Sequence, residues 1–270
     1  MAAEISAQLV RELRERTGAG MMDCKRALQE TNGDMEAAVV LLREKGMANA
    51  AKRADRETTE GLVGYRLADD RSSGTMVAIG CETEPVSKND DFQAFGTKVL
   101  ELVEAEGADA VSQLEEERVE LSGRLGENIA FAGAARFEAV EDGRIGAYVH
   151  PPANKLGVLL HLRSGTDELA RNLAMHVSWS DPRWITREDV PEDLLAAERE
   201  IYLSSDEVQS KPEQAREKIV TGMLDKRFFA ERGGVLVDQP WIHDGSVTVG
   251  HVLAEADAEV LELERFSLSG

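Results

Sequence analysis

Gly61-Leu-Val-Gly64-Tyr-Arg-Leu67 lines up with Gly143-Arg-Ile-Gly146-Ala-Tyr-Val149 at an offset of 82 residues, and Met76-Val-Ala-Ile79 lines up with Val158-Leu-Leu-His161 at the same offset. A repeat of this kind governs the choice of fold. In each copy two β-type runs flank a turn, 69–74 in the first and 151–154 in the second, and helical periodicity follows over about 92–106 and 167–178. Two related α+β subdomains are the expected result.

Before the first copy, three short helices are predicted. Ser6 can cap one that carries Ile5, Leu9 and Leu13, and Gly18-Ala-Gly20 ends it. A second spans 21–30 with Met21, Cys24, Ala27 and Leu28 on one side. Asn32-Gly33 turns the chain, and Asp34 caps a third helix that carries Met35, Ala38, Leu41 and Leu42 inward and stops at Gly46. The stretch 48–60 is small and charged, and reads as a linker.

Inside the second copy, a polar insertion opens with Glu188-Asp-Val-Pro191. Pro191 and Pro212 each suit a helix's first turn. Leu194, Leu195, Ile201 and Tyr202, with Ala215, Ile219, Met223 and Leu224, supply stripes for an antiparallel helical hairpin that forms an arm. β-type runs at 235–237 and 260–266 are candidates to complete the second sheet, with a short helix over 247–256 between them. The predicted fold class is α+β, with a three-helix module over 1–53, an α+β subdomain over 54–140, and a second over 141–270 whose hairpin spans about 188–232.

Charge narrows the partners. The 31 Lys and Arg against 51 Asp and Glu leave a net −20. Residues 1–53 hold 9 basic and 8 acidic side chains, so the excess lies beyond them. That field repels nucleic acid and anionic membranes, whose binding depends on Lys and Arg contacts with phosphate. No apolar run reaches the length needed to span a bilayer and the start lacks a signal pattern, so a cytoplasmic location is expected. Cys24 and Cys81 lack zinc-site spacing and are expected to be small buried hydrophobes.

Catalytic signatures are absent. There is no phosphate-binding glycine loop, no His-Glu-x-x-His and no Gly-x-Ser-x-Gly. His150, His161, His176, His243 and His251 are scattered, with no second ligand at metal spacing. Asp90-Asp91 and Glu115-Glu-Glu117 read as solvated helix surface, because neighbouring helical side chains point to different faces. The chain is read as a non-enzyme with no cofactor and no metal, acting by binding another protein.

Three segments carry a family resemblance. Arg16-Thr-Gly-Ala-Gly-Met-Met-Asp-Cys-Lys25-Arg-Ala-Leu28, followed by Gly33-Asp34, resembles the N-terminal ubiquitin-associated-like domain of bacterial elongation factor Ts. Cys81-Glu-Thr-Glu-Pro-Val-Ser-Lys-Asn-Asp-Asp-Phe92 resembles the family segment that carries Thr-Asp-Phe-Val, here Thr83, Glu84, Pro85 and Val86. Leu173-Ala-Met-His176-Val, Glu188 to Pro191, Lys211-Pro-Glu and Gln239-Pro240-Trp follow in family order. An additional C-terminal helical segment of some relatives is not expected after Phe266.

The resemblance implies a guanine-nucleotide exchange factor that binds elongation factor Tu·GDP and promotes GDP release. It implies docking through Arg16, Thr17, Gly18, Met21, Met22 and Lys25, with at least one methionine also in the module's core. It implies disturbance of the partner's Mg²⁺ and phosphate region by Thr83, Glu84, Pro85 and Val86, with proline in place of the family's aromatic wedge. It implies a further contact at His176, on a surface of the C-terminal subdomain. The alternative is a ubiquitin-associated-type adaptor without exchange activity.

Overall fold

The computed structural model describes residues 5–269. Three helices come first: α1 (Ala7–Thr17), α2 (Met21–Glu30) and α3 (Met35–Ala51). The Ser6 hydroxyl accepts from the Leu9 N–H and the Asp34 carboxylate from the Ala37 N–H, as their cap positions require. Val10, Leu13, Cys24, Ala27, Leu28 and Ala38 form the core of this unit, with Leu41 and Leu42 packed on it.

The first sheet is antiparallel in the order β1 (Glu60–Leu67), β2 (Ser73–Cys81), β3 (Ile129–Glu138). Between β2 and β3 lie a single turn α4 (Glu84–Ser87), then α5 (Asp90–Glu106), a 3₁₀ segment (Ala108–Leu114) and α6 (Glu115–Leu125). The second sheet, also antiparallel, joins β4 (Gly143–Val149), β5 (Leu156–Arg163) and a distant closing strand, with α7 (Asp167–Ser180) after β5. The insertion follows as α8 (Glu192–Ser204), the short α9 (Asp206–Gln209) and α10 (Glu213–Leu224). A two-stranded ribbon, β6 (Pro240–Trp241) with β7 (Asp244–Thr248), precedes α11 (Val249–Glu255) and the closing strand β8 (Glu259–Ser267).

The two sheets pack face to face. Val63, Met76, Ala78 and Ala135 of the first meet Ile145, Ala147 and Leu159 of the second. On the outer faces, Val77, Ile79 and Cys81 pack under Phe92, Phe95, Val99 and Val103 of α5, while Val158, Leu160 and Leu162 pack under Ala170, Leu173, Ala174 and Val177 of α7. The architecture is α+β in four layers, helix, sheet, sheet, helix. The central strands β2 and β5 are therefore covered on both faces, which is why they read as unbroken apolar runs.

The sheets approach closely because glycine lines the contact. A Cβ at Gly157 would stand 2.5 Å from Val63 Cγ1 and 2.9 Å from Met76 Sδ. One at Gly133 would stand 2.5 Å from the Phe266 ring.

Several expectations are corrected. The offset of 82 holds for β1 and β4 but becomes 83 for β2 and β5. Gly64 pairs with Val77, whereas Gly146 pairs with Leu160. With a side-chain period of two, alignment at 82 would match helix-facing residues with sheet-facing ones. The bulges agree with 83, falling at Ala78/Ile79 and at His161/Leu162.

The third helix does not stop at Gly46 but runs on to Ala51. Gly46 lies against the backbone of Gly123 on α6, where a Cβ on Gly123 would be 2.8 Å from the Gly46 Cα. This glycine permits a helix crossing and does not end the helix. Residues 235–237 form no strand of the second sheet. They enter a 3₁₀ turn, Leu236–Asp238, with a single parallel bridge from Trp184 to Val235. The 115–117 carboxylates open α6 and are ion-paired, Glu116 with Arg43 and Glu117 with Lys98.

In the hairpin, Leu195, Tyr202, Ile219, Met223 and Leu224 pack together, but Leu194 and Ile201 face outward. At its base the hairpin is anchored by Trp184, Val190, Phe229 and Val235.

Gly157→Val should cost about 2 kcal/mol by overpacking the sheet contact. Gly222→Ala on α10, where an added Cβ meets nothing within 4 Å, should gain about 0.5 kcal/mol. Urea unfolding midpoints of the two variants check both signs.

Candidate functional site

The connection from β2 to α5 begins at Cys81, whose buried thiol donates to the Thr83 carbonyl at 3.3 Å. Burial pushes this thiol up to about 12, so it stays protonated and unreactive. Thr83 is extended, and α4 follows at once with Pro85 in its first turn, where a missing N–H costs nothing. Thr83, Glu84 and Pro85 are exposed, whereas Val86 is half-buried against the α5 core. Asn89 then caps α5 by accepting from the Asp91 and Phe92 N–H groups. The result is a projecting tip with both ends fixed.

At the tip, the Glu84 carboxylate accepts from Lys88 Nζ at 2.6 Å one turn later. That bond and the lysine charge hold its carboxyl below the ordinary range, so Glu84 is anionic at neutral pH.

What fixes the tip lies just past the end of α6, at residues 127–128, which no sequence motif singles out. The Glu127 carboxylate accepts from the Glu82 N–H and the Thr83 N–H, each at 3.0 Å, and from the Thr83 hydroxyl at 2.5 Å. In return the Glu82 carboxylate accepts from the Asn128 N–H at 2.6 Å and from Arg56 Nη1 at 3.2 Å. Those bonds lower the Glu82 carboxyl from its ordinary value, the Asn128 N–H contributing most. The signal available in one dimension was Gly126-Glu127-Asn128, a helix stop followed by two polar residues before the apolar β3.

The same helix end reaches the three-helix unit. Gly18 has φ 68°, and a Cβ there would stand 2.7 Å from Arg124 Cδ, so the arginine stem lies across the α1–α2 turn. Arg124 also pairs with Asp91 of α5 at 3.3 Å. Six residues of α6 and its exit, 123–128, thus touch α3, the α1–α2 turn, the start of α5 and the tip.

The six residues expected for docking divide by role. Met21 and Met22 are 55% and 65% exposed, and Lys25 is exposed beside them. Neither methionine enters the core, which corrects the expectation for at least one: the α1–α2 turn sets both at the very start of α2, ahead of the inward face begun by Cys24. Thr17 and Arg16 serve the fold. The Thr17 hydroxyl donates to the Leu13 carbonyl at 2.7 Å and accepts from the Ala19 N–H at 3.3 Å, and Arg16 pairs with Glu36 at 2.8 Å.

His176 is also corrected. It is 0% exposed and so does not itself lie on a surface. Its ring stacks on Trp241 at 5.3 Å. Nδ1 accepts from the Ile242 N–H at 3.2 Å, which leaves the proton on Nε2 to be donated to Gln239 Oε1 at 3.1 Å. A neutral imidazole on α7 thereby holds the 239–242 turn, and Ile242 is the exposed side chain that results. Burial depresses its pKa, partly opposed by the Gln239 bond. Among the described residues no cluster suited to a metal ion occurs, and no helix is long and apolar enough to cross a membrane.

Because the folded-state pKa of His176 lies below its ordinary value, the unfolded chain binds its proton first. Stability is therefore full above about pH 6.5 and declines as pH falls through the unfolded pKa. His176→Gln should lower the melting temperature at pH 7.5 and shrink the further drop between pH 7.5 and pH 5.5, as read by circular dichroism.

The family described as elongation factor TS matches residues 82–270. Elongation factor Ts of Thioalkalivibrio sulfidiphilus is 41% identical, over 98% of this chain and 92% of that protein. Elongation factor Ts of Prosthecochloris aestuarii is 41% identical over 94% and 92%, and that of Clostridium perfringens 38% identical over 95% and 88%. With matches that run almost end to end at about 40% identity, this chain belongs to the elongation factor Ts family.

Proposed function

We propose that the chain is a guanine-nucleotide exchange factor of translation elongation, acting on elongation factor Tu·GDP. The observation that carries the proposal is the pairing of an exposed, anionic tip at 83–86 with an exposed methionine turn on the same end of α6. Exchange makes and breaks no covalent bond. A factor of this kind works by preferring the nucleotide-free partner, since a ligand shifts an equilibrium only through differential affinity, and by reciprocity GDP weakens its grip. A thousandfold faster release needs a barrier lower by about 4 kcal/mol.

The chain divides in this reading into a ubiquitin-associated-like module over 1–53, a subdomain over 54–140 and a related one over 141–270 with its hairpin at about 188–232. Both subdomains follow one plan, a strand pair, a helical segment, then a third strand beside the second, with a bulge at matched positions. Met21, Met22 and Lys25 dock, and Arg16, Thr17 and Gly18 shape the turn that presents them. Methionine suits the task because its thioether is apolar and adaptable. Glu84 and Pro85 reach the partner's Mg²⁺ and phosphate region, with Thr83 and Val86 setting the tip's pose. His176 acts from beneath, by holding the turn that exposes Ile242. The adaptor alternative leaves the tip and both sheets without a task. A cytoplasmic site of action goes with this function.

Mixing the chain with elongation factor Tu carrying fluorescent GDP should accelerate release at micromolar factor. No acceleration overturns the proposal. Replacing Met21 and Met22 together by Ala should raise the half-saturating factor concentration about tenfold, the loss of roughly 1.4 kcal/mol of contact, with little change in the maximal rate.

A further inference from the structure

We propose that Glu127 is a positioning residue for exchange: its carboxylate holds the 83–86 tip in the pose that acts on the partner's nucleotide site. This inference rests on the exchange function proposed above.

The tip is exposed over most of its length and is anchored at its ends by the Cys81 thiol on the Thr83 carbonyl, by buried Ser87 and by the Asn89 cap. Thr83, Glu84 and Pro85 are exposed, and α4 is a single turn of four residues. The Glu84 carboxylate accepts from Lys88, itself exposed on the same turn. Val86 is the one half-buried side chain of the four. Beside these, one carboxylate from another part of the chain collects three donors, the Glu82 N–H just before the tip and both the N–H and the hydroxyl of Thr83, its first residue. Charge-assisted bonds of this kind are strong and directional, so they fix position as well as add stability.

The carboxylate is itself held. Its residue follows Gly126, the left-handed cap of α6, and the Ser122 hydroxyl donates to the Glu127 carbonyl at 2.5 Å. Asn128, nearly fully buried, donates its side-chain amide to the Ala54 and Arg56 carbonyls at 3.1 and 2.8 Å, while its N–H bonds Glu82. The segment leaving α3 is thus tied to the residue before Thr83 through Asn128, and again through Arg56 and Glu82. Glu127 reaches none of the exposed docking side chains in the described contacts. In this proposal its effect on a partner passes through Glu82 and Thr83.

Positioning predicts a particular kinetic signature. A displaced tip should slow the step in which nucleotide leaves, while docking through the methionine turn is kept. Glu127→Ala and the milder Glu127→Gln are compared with wild type for release of fluorescent GDP from elongation factor Tu across factor concentrations. The expected result is a maximal rate lower by about tenfold in Glu127→Ala, with the half-saturating concentration within about twofold. Glu127→Gln, which keeps an acceptor oxygen, should fall between the two. Thr83→Val added to Glu127→Ala should cost nothing further, because the hydroxyl has already lost its acceptor. Circular dichroism melts accompany each variant. If Glu127→Ala does not fold, Glu127→Gln alone decides.

A maximal rate equal to wild type overturns the inference, as does a rise in half-saturating concentration at unchanged maximal rate. An additive loss from Thr83→Val also overturns it. The wild-type chain separates the two readings: if it fails to speed release the exchange function falls, whereas if it succeeds and the Glu127 variants match it, only the positioning role falls.

Discussion

The contact between the two sheets sets the rest of the molecule. Each central strand is buried on both faces, so every side chain along β2 and β5 must satisfy either a helix or the opposite sheet. Small residues make this workable. Ala78, Ala135, Ala147, Gly133 and Gly157 thin the middle layer, and larger ones such as Met76, Leu159 and Phe266 fill what is left. With the sheets pressed together, α5 and α7 have only the outer faces to cover. Chain segments that pass from strand to helix must then emerge at the rim, and the 82–89 connection is one of these.

At the rim the physics changes. The interior is held by non-directional burial, which tolerates small shifts of one layer against another. The tip is held by hydrogen bonds to carboxylates and a buried amide, which fix direction. Glu82, Glu127 and Asn128 form a reciprocal set in which each charged group finds N–H or guanidinium donors. A polar set of this kind leaves its members few degrees of freedom. A chain with a net charge of −20 has many carboxylates, and these two are distinguished by what donates to them.

Much of this was legible in the sequence. Helix caps at Ser6, Asp34 and Asn89, the two hairpins and the proline-led hairpin helices all follow from local chemistry, and the structure forms each of them. Most of the departures share one cause, dependence on partners distant along the chain. Gly46 looked like a helix stop because its crossing with Gly123 is 77 residues away. Val235 to Val237 looked like a strand from its β-branched residues, yet its neighbours give it one bridge and a tight turn. His176 carried no mark of burial, since its stacking partner Trp241 lies beyond the inserted hairpin. The candidate tip was visible in its own residues, whereas the glutamate that restrains it announces nothing until α6 and β3 bring it alongside.

The crossing of α3 on α6 bears on how, in the exchange function proposed above, the two exposed surfaces would meet a common target. Seventeen residues of continuous helix, a rod of about 25 Å, are clamped at Gly46 and by Arg43 against Glu116 and Glu120. For that proposed function, the methionine turn and the tip would be not two weights on a string but the two teeth of a chelate. Once one tooth is seated, the other is already near its place, at a local concentration that no flexible tether of the same length would match.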